Sequence, residues 1–234
     1  MTDAAAVLAA LDTVRDPELD ESVTALGFVA SCTVSSDGVA DVRLRLPTYF
    51  CAPNFAYLMV ADAYDAVSGV PGVSRTDVVL EDHFASDVIN RGVAARSGFL
   101  QSFDGYAAGE LDELRADFLR KATLAATDRV CRPLLRAGRT PEKLAMLRLG
   151  DIPESADRER LRSRRRELGL PAGDESPLLV DPVTGDAVDV PAMPRHLARA
   201  RLTGVSVEAN SGVCRGMLRQ RYATAGVGEC EEDR

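Results

Sequence analysis

The 234 residues are 46% hydrophobic and 27% charged, with a formal net charge of -8. That composition builds a buried core and excludes a chain left unfolded for want of apolar residues. The charge is uneven: residues 1–84 carry 13 Asp/Glu against 4 Lys/Arg, a balance of -9, which leaves +1 for residues 85–234 and marks two regions. The acidic total argues against bulk binding to nucleic acid or anionic lipid.

The N-terminus, MTDAAAVLAALDTVRDPE, has acidic residues where a secretion signal has basic ones, and no apolar run approaches the roughly 20 residues that span a bilayer. A soluble, cytoplasmic protein is expected. The five cysteines, Cys32, Cys51, Cys131, Cys214 and Cys230, are scattered and form no C-x-x-C pair. They are read as reduced thiols, not as a disulfide framework or a self-contained zinc site.

In chain order, Val7, Leu8, Leu11 and Val14 recur on one helical face, predicting a helix over 3–15 that Asp16-Pro17 ends. FVASCTV and VADVRLRL alternate in polarity as two strands, and SSDG joins them as a hairpin. Pro53 or Asn54 opens a helix to about residue 68, GVPGV turns the chain, and SRTDVVLE supplies a third strand. The fold class expected is α/β (α+β): a helix-strand-strand-helix-strand sandwich over 1–84, one sheet face under two helices.

Beyond Phe84, helices are expected over about 86–97 and 110–135, then in RTPEKLAMLRL with Thr140 as N-cap and Pro141 at its first position. DRERLRSRRRE predicts a short surface helix, LLVDPVTGDAVDV a β-hairpin, and PRHLARARL and SGVCRGMLRQRY two short helices. The division is thus 1–84, a mainly helical region over 85–222, and a disordered acidic tail over 223–234.

Chemistry gathers at Cys51, which sits where a strand's carboxyl end meets a helix's amino end. Unpaired amides and the helix dipole favour a thiolate there; an ordinary thiol packed behind the sheet is the alternative. Asp16 and Glu18 leave the first helix in a turn that the sheet geometry brings to the same edge. Two carboxylates beside a thiolate raise its pKa unless a cation neutralises all three, and that combination suits zinc or iron. Plain helix termination, with Glu18 solvated, explains the same DPE segment.

An N-terminal helix ending in DPE, the LGFV entry at residues 26–29, a hairpin, PTYFCAP before a helix, and GVPGV leading to the last strand together resemble the iron-sulfur cluster assembly domain family. This family has SufT-like and PaaD-like members and includes the eukaryotic cytosolic iron-sulfur targeting factor. The resemblance covers residues 4–82. It implies a role in maturing iron-sulfur or other iron-dependent enzymes, with Cys51 as transient ligand of iron or a cluster, Thr48 as the upstream threonine, and Asp16 and Glu18 as the acidic turn. One departure is plain: the family has proline directly after the cysteine, whereas here Ala52 precedes Pro53. The two-part layout also resembles accessory proteins of bacterial soluble diiron monooxygenases.

A cluster commonly takes four thiolates, so the remaining ligands must come from a second chain, a client or an exogenous thiol. On the helix after Cys51, Phe55, Leu58 and Met59 form one apolar strip and Tyr57, Val60, Tyr64 and Val67 another. The excess arc is expected to meet a second subunit, as in a homodimer, or the C-terminal region. His83 is placed near the Cys51 edge or as a solvated or capping residue, and His196 on a basic surface. Cys32 is assigned to core packing, Cys131 and Cys214 to core packing with a distant ligand as the alternative, and Arg158 to Arg166 to a solvated helix face with docking to an acidic partner as the alternative.

The leading expectation is a non-catalytic maturation factor whose partners are a client iron enzyme or the assembly machinery. A metal-free assembly scaffold is the alternative. A thiol enzyme using Cys51 with His83 as base is the third reading, since His83 is the sole plausible base for it.

Overall fold

The computed structural model describes residues 3–103 and 111–223. Two compact units divide the chain: Met1–Asp112 with Asn210–Arg234, and Glu113–Ala209.

In the first unit, α1 (Ala4–Leu11) opens at Asp3, whose carboxylate accepts the Ala6 amide at 2.8 Å. It stops four residues before the expected end because Asp12 and Thr13 close it onto Leu8 and Ala10 carbonyls. Strands β1 (Val29–Val34) and β2 (Val39–Arg45) pair antiparallel. Their turn needs Gly38 at φ +83, where a Cβ would lie 2.6 Å from the Gly72 carbonyl. The chain then crosses through α2 (Pro53–Ser68) to β3 (Arg75–Glu81), which pairs parallel with β2, giving the order β1-β2-β3.

Phe28, Cys32, Val42, Leu44, Val78 and Leu80 meet Val7, Leu11, Ala63 and Val67 in a core from which water is excluded. That burial is the main stabilising term of so small a sheet. Cys32 is a core thiol, as expected.

The boundary anticipated after residue 84 falls inside this unit. Helix α3 (Ser86–Ala94) packs on α2 and β3, and Asn90 accepts the Leu80 amide at 2.9 Å and donates to the Leu80 carbonyl at 3.1 Å. One side-chain amide thereby stands in for a strand neighbour along the open edge of β3. Phe99 of α4 (Gly98–Ser102) and Phe103 pack edge-on against Tyr57 at 5.5 and 6.5 Å between ring centroids. The second apolar strip of α2 is therefore covered within the unit.

The second unit has its own core. Residues Ala126, Val130, Cys131, Leu144, Leu149, Leu161, Leu178 and Met193 come from α5 (Asp112–Arg136), α6 (Pro141–Ala145), α7 (Ala156–Glu167), α8 (Met193–Arg221) and the segments between them. Thr140 caps α6 as expected, accepting the Lys143 amide. The 178–190 segment forms only a bridge between Val180 and Ala187 in place of a full hairpin; the six residues between them leave too little strand on either side for a ladder.

The two short helices expected after Pro191 are one helix, α8. The glycines inside it cost about 1 kcal/mol each in propensity, and Gly204 is used for packing: a Cβ there would meet the Asp128 carboxylate at 3.0 Å.

The arginine run of α7 departs most from expectation. Arg164 and Arg165 are buried. The Arg165 guanidinium donates to the Pro177 and Leu178 carbonyls at 2.9 and 2.5 Å, and burial lowers its pKa to about 10. Arg162 pairs with Asp174, Arg164 with Glu167, and Arg166 with Glu159 at 2.8 Å. Backbone carbonyls of the bridge-poor 171–178 segment need donors, and Arg165 supplies them. His196 is likewise buried, not on a basic surface. No helix among the described residues is long and apolar enough to cross a membrane. The expected acidic tail, beyond Ala223, and Cys230 lie outside the described residues.

Candidate functional site

Strand β2 ends at Arg45, and residues 46–52 carry the chain to α2. Pro53 takes the first helical position and Ala52 the N-cap, without a side-chain cap. The residue that separates cysteine from proline is therefore the N-cap itself, and Cys51 stands one position outside the helix. Cys51 is half-buried, with its Sγ 3.3 Å from Thr48 Oγ1. Thr48 Oγ1 also accepts the Phe50 amide at 3.3 Å, so it folds the loop on which the thiol rides.

His83 fixes that loop from the other strand. It follows Asp82, which adopts the left-handed φ of 50° that Asp tolerates better than most residues. His83 Nδ1 accepts the Ala85 amide at 3.2 Å, which leaves Nε2 to donate to the Cys51 carbonyl at 2.7 Å. The ring is buried, and burial, aided by the nearby Arg221 charge, holds its pKa below the usual value. A neutral histidine thus clamps the backbone of Cys51. Both ring nitrogens are engaged with backbone groups, Nε2 with the Cys51 carbonyl and Nδ1 with the Ala85 amide.

The acidic turn is closed by its own hydrogen bonds. Asp16 Oδ1 accepts the amides of Glu18 and Leu19 at 2.9 and 2.8 Å, closing a turn after α1. The carboxyl is buried, and desolvation raises its pKa to about 6. Glu18 is exposed and accepts from Asn210 Nδ2 at 3.3 Å. Among the described residues, no three His, Cys, Asp or Glu side chains converge as a metal site.

Two features were missed in the sequence. The first is aromatic: Tyr49, Phe50 and Phe84 are all exposed, Phe50 by 76%, yet their ring centroids lie 5.0 to 6.3 Å apart. Three large apolar rings held together in water beside a half-buried thiol are what a protein contact uses as an anchor. The adjacency of Tyr49 and Phe50 to Cys51 was the available signal; the arrival of Phe84 from β3 was not.

The second is the end of α8. Arg221 donates to the Leu46 carbonyl at 3.0 Å and the Asp82 carbonyl at 2.5 Å, at the roots of the Cys51 loop and the His83 turn. Arg45 lies over the Tyr222 ring, 4.6 Å from its centroid. Residues 210–222 therefore brace both strand ends that carry the site.

Comparison with known proteins places this unit. Residues 4–79 match the model of a family described as iron-sulfur cluster assembly protein. An uncharacterized protein of Methanocaldococcus jannaschii is 31% identical over 84 residues, which cover 36% of this chain and 86% of the relative. An Fe-S protein maturation auxiliary factor of Porphyromonas gingivalis is 32% identical over 91 residues, 38% of this chain and 86% of the relative. A crystal structure of a domain of unknown function, DUF59, from Bacillus anthracis aligns with 40% of this chain and 90% of its own, at 22% identity and a TM-score of 0.31.

Proposed function

This chain belongs to the iron-sulfur cluster assembly protein family through its N-terminal region, and we propose that it is a cytoplasmic maturation factor whose Cys51 transiently holds iron or an iron-sulfur cluster on its way to a client. In this reading it acts stoichiometrically, not as a catalyst, and the cluster is cargo. The observation that carries it is Cys51 itself: a half-buried thiol outside a helix start, its backbone clamped by His83 and its rim formed by Tyr49, Phe50 and Phe84.

A single thiol on a braced loop can accept a metal without enclosing it in a four-ligand cage, which favours release over storage. The aromatic rim supports contact with the protein that gives or takes the cargo. An iron-dependent client such as a bacterial diiron monooxygenase fits the two-part chain. Unit two supplies a separately cored surface for recognising it.

Anaerobic reconstitution of the full chain with iron and sulfide tests this. Wild type is expected to retain iron and show a visible absorption band, and Cys51→Ala to lose both. Wild type that retains neither removes the carrier role and leaves the assembly-scaffold reading, in which Cys51 binds nothing.

A further inference from the structure

Within Glu113–Ala209, helices α5 and α8 border an open cleft of about 260 Å³. From α5 it is lined by Asp128, Arg132, Leu135 and Arg136, which recur at i, i+4, i+7 and i+8 and so share one helical face. From α8 come Leu197 and Arg201, one turn apart. None of these residues belongs to the unit that carries Cys51.

The cleft is held from behind by Asp128, which is buried. A Cβ at position 204 would lie 3.0 Å from Asp128 Oδ2, so the glycine there lets the backbone of α8 come up to this carboxylate. The same oxygen faces Arg201 Nη1 at 3.3 Å and Arg132 Nε at 3.8 Å. Two guanidiniums from different helices are thus fixed by one buried anion before any ligand arrives. Arg136 is exposed and makes no side-chain hydrogen bond or ion pair among the described residues. A cation in the last turn of α5 is favoured by the helix dipole alone. That preference does not account for two further guanidiniums on the same cleft.

Three guanidiniums against one carboxylate leave the lining with positive charge in excess. Glu208, which accepts from Arg132 Nη2 at 3.1 Å, offsets little of it because its side chain is 47% exposed. Leu135 and Leu197 add an apolar wall beside the charge.

We propose that this cleft binds a small organic dianion, a phosphate monoester carried on a compact apolar group. Guanidinium forks match the oxygens of a phosphate two at a time, and a dianion balances the surplus that one buried carboxylate leaves. The leucine wall takes the ester group. A volume below the roughly 300 Å³ at which pockets for drug-sized ligands begin keeps that group small. Occupancy would tie α5 to α8 and stabilise the second unit by mass action.

Calorimetric titration of the full chain with phenyl phosphate tests this at about pH 8, where the ester is a dianion because its second pKa lies near 6. One saturable site is expected. Inorganic phosphate should bind about tenfold more weakly, since it leaves both leucines uncovered. Benzoate keeps the ring but carries one charge, and should also bind about tenfold more weakly. Arg136→Gln, at an exposed position, is expected to weaken phenyl phosphate about tenfold with no change in urea midpoint. Arg201→Lys keeps a cation beside Asp128 but loses the fork, and should weaken it several-fold.

Absence of saturable binding to wild type overturns the proposal. Equal affinity in wild type and Arg136→Gln also overturns it, because the anion then lies elsewhere; this variant decides alone if urea shows Arg201→Lys to be destabilised. Inorganic phosphate as tight as phenyl phosphate removes the organic group, and benzoate as tight removes the dianion.

Discussion

The two units treat their polar groups in opposite ways. In Glu113–Ala209, two buried polar side chains are tied to structure: Arg165 donates to backbone carbonyls, and Asp128 lies between Arg132 and Arg201 at 3.8 and 3.3 Å. Its cysteine, Cys131, is sealed in the core and burial pushes the thiol to about 12. In the first unit the sheet core is equally dry, yet the loops at the ends of β2 and β3 leave a thiol half-open and three aromatic rings in water. Exposed apolar surface beside a braced, half-buried thiol is costly to keep and supports the site proposed above, whereas the tethered Arg165 of the other unit serves its fold.

That contrast can be broken most forcefully at Arg165. Arg165→Ala strands the Pro177 and Leu178 carbonyls in the interior and is expected to lower unfolding stability by about 3 kcal/mol. Urea denaturation measures the loss, while the alkylation rate of Cys51 in native buffer should not change. An unaltered urea midpoint would mean that this arginine is not structural.

Asp16 sharpens the comparison on the side of the site, because its carboxyl is buried and held by backbone amides. Its folded pKa of about 6 lies above the usual value of 3.8, so the native state holds the proton more tightly than the unfolded chain. Its contribution to stability is complete below about pH 4 and is lost as pH rises through 6, a difference on the order of 2–3 kcal/mol. Asp16→Asn keeps the acceptor for the Glu18 and Leu19 amides. It is expected to flatten stability between pH 4 and 7 and to raise it at pH 7. A variant that retains the wild-type slope assigns the titration to another group.

The smallest effect is expected at His83. His83→Ala frees the Cys51 carbonyl and the Ala85 amide and should cost about 1 kcal/mol. Its more telling consequence is kinetic: with the loop unclamped, Cys51 should alkylate several-fold faster under native conditions. An unchanged rate would show that Thr48 and the helix start hold the loop unaided.

Much of the first unit was legible because its signals are local. Alternation in residues 39–45, the Pro53 helix start and the Gly38 turn each depend on a few neighbouring residues, and each element formed where its pattern placed it. The acidic turn was legible as a turn but not as a buried one. Asp16 and Glu18 look alike in sequence, and only packing separates the desolvated carboxyl from the exposed one. Arg165 was hidden for the same reason: composition cannot distinguish an arginine facing water from one facing carbonyls twelve and thirteen residues away.

By itself, then, the sequence determined the periodicities, the caps and turns, and the place of Cys51 between strand and helix, because these follow from backbone preferences over a few residues. The tertiary structure alone decided which distant groups share that edge. The parallel pairing of β2 with β3 brings His83 and Phe84 beside Cys51, and the return of α8 brings Asn210 to Glu18 and Arg221 to the Leu46 and Asp82 carbonyls. Contacts made across 30 to 190 residues leave no local pattern, since the energy that selects them comes from burying whole faces and not from any one stretch of chain.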